Sequence, residues 1–235
     1  MIIKLPFLTW DLKIQRHARN ETVIKRSNYN KIFCIGQNKT GTSSLERLLT
    51  LFGFMMGDQP VGEVLSLDWL IDRNAERIIR YCYTADAFQD VPLSCPGLYK
   101  ELDKAFPDSI FILTVRNSPD EWFNSLARFH TKLFSSDPNR LPNEDDLNSV
   151  TYLYKGYALE VFRHLYGYPK IPLYDRDAYK NHYIMDNDEK RIYFKERPNN
   201  FIEINLAIKD DFRRLCEFLS VETNINGFPW LNRSG

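Results

Sequence analysis

From Gly36 to Ser44 the chain reads G-Q-N-K-T-G-T-S-S. One cation, Lys39, stands among four hydroxyl side chains, Thr40, Thr42, Ser43 and Ser44, with Gly41 in their midst. The apolar run K-I-F-C-I-G precedes this segment and a helical pattern follows it. A loop that enters a helix N-terminus presents backbone N–H groups and the positive end of the helix dipole, which together favour a phosphate-like anion. Lys39 adds a full charge, and Gly41 lets backbone approach the anion closely. The plainer alternative is a tight turn whose hydroxyls cap the helix while Lys39 is solvated; the combination of all these features favours the anion.

Three more residues could act with such a loop. Arg116 closes the apolar run S-I-F-I-L-T-V-R, and Ser125 follows in the next helical segment. A guanidinium fork and a hydroxyl are both hydrogen-bond donors to anionic oxygens. Taken alone, Arg116 is an ordinary strand-end arginine and Ser125 an incidental helical serine. Asp90, in A-D-A-F-Q-D-V-P, is a candidate general base, since burial raises a carboxylate pKa toward the useful range. It could instead cap a turn before Pro92, and Asp86 in the same segment could be the functional acid. His130 is the runner-up, although its place after Ser125 predicts a surface histidine.

Nucleotide loops of ATP- and GTP-binding proteins read G-x-x-x-x-G-K-[ST]. Gly36 and Gly41 have that separation, but Thr42 stands where the lysine belongs. K-T-G-T-S-S instead resembles the 5′-phosphosulfate loop of sulfotransferases that use 3′-phosphoadenosine-5′-phosphosulfate (PAPS). The resemblance implies that Lys39, Thr40, Gly41, Thr42 and Ser43 contact the 5′-phosphosulfate. Ser44 falls where animal cytosolic members carry a tryptophan beside the adenine. In T-V-R-N-S-P-D-E-W-F-N-S-L, Arg116 and Ser125 match the family's 3′-phosphate pair and Trp122 a common aromatic, with one residue more between arginine and serine than is usual. Asp90 before Val-Pro matches the position of the family's base. F-I-E-I-N-L-A-I-K-D-D-F-R-R-L-C-E-F-L-S and the Phe-Pro-x-x-Asn ending resemble the family's C-terminal strand and helix.

The implied fold is α/β, three-layered, with a central parallel sheet and helices on both faces, of the P-loop nucleoside-kinase-like sulfotransferase kind. The implied reaction moves a sulfuryl group from PAPS to a hydroxyl or amine of a small-molecule, lipid or carbohydrate acceptor, releasing PAP. Lys39 would stabilise developing charge and Asp90 take the acceptor's proton. No metal is expected. The rivals are a small-molecule kinase using ATP and a non-catalytic nucleotide-binding relative.

The elements that must hold these residues can be read from pattern. Residues 31–36, 85–90, 109–116 and the N-N-F-I-E-I-N-L segment read as strands. Residues 42–54 form a helical pattern stopped by Gly53, and 62–82, 95–106, 118–134, 147–166, 176–196 and 209–220 are further helical stretches. S-S-D-P-N-R-L-P-N-E-D-D reads as a surface loop. Strand and helix in alternation predict a parallel sheet covered on both faces. Residues 1–30 are expected to be a basic N-terminal arm and 31–235 a single domain.

At 235 residues the chain can bury one substantial core. Lys plus Arg and Asp plus Glu number 31 each, so a general nucleic-acid binder is not expected. No apolar run is long enough to span a membrane, no signal-peptide pattern opens the chain, and four scattered cysteines suggest free thiols. The expectation is a cytoplasmic protein. Acceptor identity and oligomeric state are not legible; the many tyrosines between 152 and 183 could stack on sugars or phenols, or be core.

Overall fold

The computed structural model describes residues 23–24 and 30–229. The rest of the expected N-terminal arm, and the last three residues of the Phe-Pro-x-x-Asn ending, lie outside the described residues. Four strands form one parallel sheet: β2 (Ile32–Cys34), β3 (Ala87–Phe88), β4 (Ile110–Thr114) and β5 (Phe201–Ile204), in the order β3-β2-β4-β5. Alternate residues serve opposite faces, as the two-residue period of a strand requires. Phe33, Ile35, Phe88, Phe111 and Leu113 belong to one core; Ile32, Cys34, Ala87, Ile110 and Ile112 belong to the other. Both sets are buried, so the strands read as continuous apolar runs.

Helix α1 (Thr42–Leu51) and helix α10 (Lys209–Phe218) cover the second face through Leu45, Leu48, Leu49, Phe212 and Leu215. The first face is covered by α3 (Ser66–Asp72), α4 (Glu76–Tyr81), α5 (Leu98–Ala105) and the end of α9 (Arg176–Phe194). Helices α6 (Pro119–Phe134), α7 (Glu144–Ser149), α8 (Tyr157–Tyr166) and α9 share a third, aromatic core. The architecture is the expected α/β sheet flanked by helices.

Several boundaries differ from the sequence reading. The helical stretch expected over 62–82 is three short helices, beginning with α2 (Gln59–Val64), whose cap Asp58 accepts from the Val61 N–H. Arg73, in the left-handed region at φ 55°, ends α3, so a continuous helix is impossible there. The loop expected over 135–146 ends inside α7, which a capping box between Asn143 and Asp146 starts early. Gly156, at φ 86°, then separates α7 from α8. A two-stranded antiparallel pair, β1 (Val23–Ile24) with β6 (Val221–Glu222), was not legible at all. Its strands are two residues each, too short for a period to show.

Among the described residues no helix is long and apolar enough to cross a membrane.

Candidate active site

The order β3-β2-β4 makes the carboxyl end of β2 a switch point: the chain leaves β2 to one side for β3 and returns to the other for β4. Crevices at such points are the usual ligand sites of open parallel sheets. The loop that starts at Gly36 leaves from there, Asp90 lies two residues past β3, and Arg116 lies two past β4. Residues far apart in sequence thus converge because their strands are neighbours.

The loop is held by its carbonyls. Lys190 Nζ donates to Ile35 O at 2.9 Å, and Trp122 Nε1 donates to Asn38 O at 3.0 Å. Arg116 Nε donates to Lys39 O at 2.7 Å, while the Thr40 N–H and hydroxyl both reach Gln37 O. With the carbonyls drawn inward, the first-turn N–H groups of α1, which no helix can satisfy internally, open toward the loop. A Cβ on Gly36 would come within 2.1 Å of Thr114 Oγ1, so only glycine lets the loop leave β2 against β4. Gly41, at φ 105°, makes the turn into α1. The donors and the two cations suit a compact polyanion.

Lys39 adopts φ 67° and Asp90 φ 59°, left-handed values that non-glycine residues seldom hold and that concentrate at functional sites. Lys39 Nζ sits 3.8 Å from the centre of the Phe129 ring. Burial lowers its pKa, Asp90 pulls it up, and Arg116 and Arg128 push it down again. Asp90 accepts from Thr42 Oγ1 at 2.9 Å on Oδ2 and from the Val91 N–H at 2.8 Å on Oδ1. Burial raises its pKa, opposed by those two hydrogen bonds and by Lys39.

The hydroxyls are not equivalent. Thr40 is buried, with its hydroxyl shared between Gln37 O and Thr114 Oγ1, so it shapes the loop and leaves only backbone for an anion. Thr42 is buried against Asp90, Ser44 is buried, and Ser43 is exposed on the first turn. Ser125 is buried on α6, one turn beyond Trp122 and one before Phe129. Both neighbours touch the loop, and residues three and four apart share a helix face, so Ser125 faces the loop. Arg116 is half-buried, with Nη1 3.1 Å from Glu121.

Two alternatives for the base are displaced. Asp86 is exposed at the amino end of β3, away from the loop, and accepts from the Met55 N–H at 3.0 Å. His130, expected on the surface, is buried among Phe134, Phe162 and Tyr174, and burial lowers its pKa to about 3. It is a neutral core histidine. Most of the tyrosines left open by sequence are core too: Tyr157, Tyr166, Tyr174, Tyr179 and Tyr183 are buried.

Sequence reasoning missed two groups. Glu46, one turn after Thr42, and Glu63 on α2 stand near Asp90, and burial with Asp90's charge raises each to a pKa of about 7. Gln89 donates to Glu46 and to Gln59, and Gln59 donates to Glu63 and to Val91 O. Tyr152 donates to Glu63 at 3.2 Å. The four-residue spacing of Thr42 and Glu46 was the available signal. The other group, Asp186 and Lys190 on α9, reads in sequence as an ordinary surface pair.

A parallel sheet flanked by helices, with a cationic loop at its switch point, defines an α/β protein of the P-loop-like kind. The sulfotransferase domain family matches residues 31–235, and the chain belongs to that family. Its reaction class is therefore sulfuryl transfer. A search of curated proteins finds no match.

Proposed function

We propose that the chain transfers the sulfuryl group of PAPS to a hydroxyl or amine of an acceptor and releases PAP, with residues 31–235 acting as one domain. The observation that carries this reading is the convergence of Lys39, Asp90 and Arg116 on a loop whose carbonyls are drawn inward. PAPS, when bound, supplies the sulfuryl group and a phosphate leaving group. The residues present fit such a ligand, with amide donors and Lys39 for its 5′ end and Arg116 with Ser125 for its 3′-phosphate.

In this reading Lys39 and the α1 amides stabilise charge that develops on the donor's oxygens, where fixed donors act most strongly. Asp90 takes the acceptor's proton. Its hydrogen bonds from Thr42 and Val91 fix the carboxylate, and its burial makes it a stronger base. The four cysteines are free thiols, three of them buried, which supports a reducing, cytoplasmic setting.

Thermal shift and calorimetry with PAP, PAPS and ATP plus magnesium test the reading. PAP and PAPS should raise the apparent stability, as ligands of the folded state do, and labelled PAPS should pass label to an acceptor panel. Stabilisation by ATP and magnesium but not by PAP would overturn it in favour of a kinase.

A further inference from the structure

Helix α9 lies in the stretch of the chain whose sequence pattern is least informative, yet three of its side chains reach the anion site. Tyr183, Asp186 and Lys190 are spaced three and four residues apart, so they share one face. All three are buried, and Lys190 has no exposed surface at all. The Tyr183 hydroxyl accepts from the Arg116 N–H at 3.0 Å, and its ring stacks on Trp122 at 4.6 Å. Asp186 Oδ2 accepts from Gln37 Nε2 at 2.9 Å and from Lys190 Nζ at 2.6 Å. Lys190 Nζ also donates to Ile35 O at 2.9 Å.

These contacts meet the end of β2, the first loop side chain and the end of β4. A buried ion pair is a poor way to gain stability, because desolvation of both charges offsets their attraction, and apolar replacements of similar volume often do as well. Its distinctive property is direction: Lys190 and Asp186 fix one backbone carbonyl and one amide side chain at chosen points. Gln37 has the tightest dependence, since its Nε2 is directed to Asp186 from a buried position.

We propose that Lys190 and Asp186 are positioning residues for the anion-binding loop, acting through Ile35 O and Gln37, with Tyr183 holding Arg116 in the same frame. This rests on the reading of the loop as the PAPS site. The loop's shape is then set from α9, and not by the loop's own residues alone. Lys190 and Asp186 both act on the backbone and side chain that shape the loop, Ile35 O and Gln37, and not on the groups assigned to the ligand.

The test separates position from stability with a charge-free pair. Lys190→Met alone strands a buried carboxylate and is expected to destabilise the fold. The double variant Lys190→Met/Asp186→Leu removes both charges with apolar side chains of similar shape and should recover most of the lost melting temperature. In the ligand-free protein, hydrogen exchange of a peptide spanning residues 32–45 should still be faster in the double variant, with β4 unchanged. Its PAP affinity should fall by about tenfold or more, the scale of losing a charge-assisted hydrogen bond. Gln37→Leu should reproduce part of that loss with a smaller fall in melting temperature than Lys190→Met, since Asp186 keeps its Lys190 partner.

Wild-type exchange and wild-type affinity for both the loop and PAP in the double variant would overturn the proposal and leave the pair purely structural. A double variant as unstable as the single one, with loop exchange raised no more than that of β4, would overturn it equally. Wild-type PAP binding is read first and separately. Its absence would overturn the PAPS reading, whereas the exchange measurement on ligand-free protein still judges the contribution of α9 to the loop.

Discussion

Glu46 and Glu63 are partly buried beside Asp90, and each has its pKa raised from 4.5 to about 7, chiefly by burial and secondarily by Asp90. A carboxyl raised in the folded state binds protons there that the unfolded chain has already released. Stability must then fall as pH rises from about 4.5 through about 7, and level off above. At roughly 1.36 kcal/mol per pKa unit, a rise of about 2.5 units costs each site on the order of 3 kcal/mol at pH 8. Glu63→Gln keeps an acceptor oxygen for Gln59 and Tyr152, and Glu46→Gln keeps one for Gln89, while removing the charge. Each variant should therefore melt higher than wild type at pH 8, by several degrees at about 2–4 °C per kcal/mol, and nearly with it at pH 5. Thermal melts across that range in one buffer series are the assay. A difference between variant and wild type that is the same at both pH values would refute the reasoning, because the carboxyls would not titrate in that window.

Further expectations concern the reaction. Ser125→Ala should weaken PAP by about 0.5–1.5 kcal/mol and leave adenosine-5′-phosphosulfate unaffected, by calorimetry with both ligands. Arg116→Ala should weaken PAP by roughly 1.5–3 kcal/mol but also weaken the shorter ligand somewhat, because its Nε holds Lys39 O. Lys39→Ala should lower kcat more than PAP affinity, since its charge serves the transition state; an unchanged kcat with a proven acceptor would sink that role. Asp90→Asn should lower kcat by about 10²–10⁴ at unchanged PAP affinity and abolish the acid limb of the pH–rate profile, a limb displaced upward by the burial of Asp90.

β2 and β4 were legible because they are buried on both faces and so appear as apolar runs, and each lies inside its expected run, starting one residue later and ending two earlier; β5, only half-buried along one face, carries Glu203 in its run. The loop was legible because glycine, lysine and hydroxyls at a strand-to-helix junction have few other uses. Contacts between elements were not. Nothing in D-N-D-E-K indicates that Asp186 and Lys190 face inward, since an acid four residues before a lysine is the commonest exposed pair. His130 failed for the opposite reason, a polar residue whose aromatic surroundings come from α6, α8 and the turn before α9. Thr40 and Thr42 look interchangeable in sequence, and only the fold turns one toward Thr114 and the other toward Asp90.

That division between Thr40 and Thr42 bears on how a short motif becomes a site. The loop alone supplies donors, but donors attract any compact anion. Discrimination needs a second and a third group at fixed distance, and these come from β3 and β4, the neighbours of β2 on either side. Thr42 belongs to the loop's helix and donates to Asp90, so a loop displaced by a lost anchor also releases the carboxylate. Arg116 binds back to Lys39 O, so the 3′-phosphate candidate and the loop lysine move together. In the proposed reaction, anion binding and proton acceptance would therefore be coupled through two hydrogen bonds of ordinary length. A substitution that disturbs the loop should cost turnover by both routes at once, and the losses from Lys39 and Asp90 variants should combine to less than their sum.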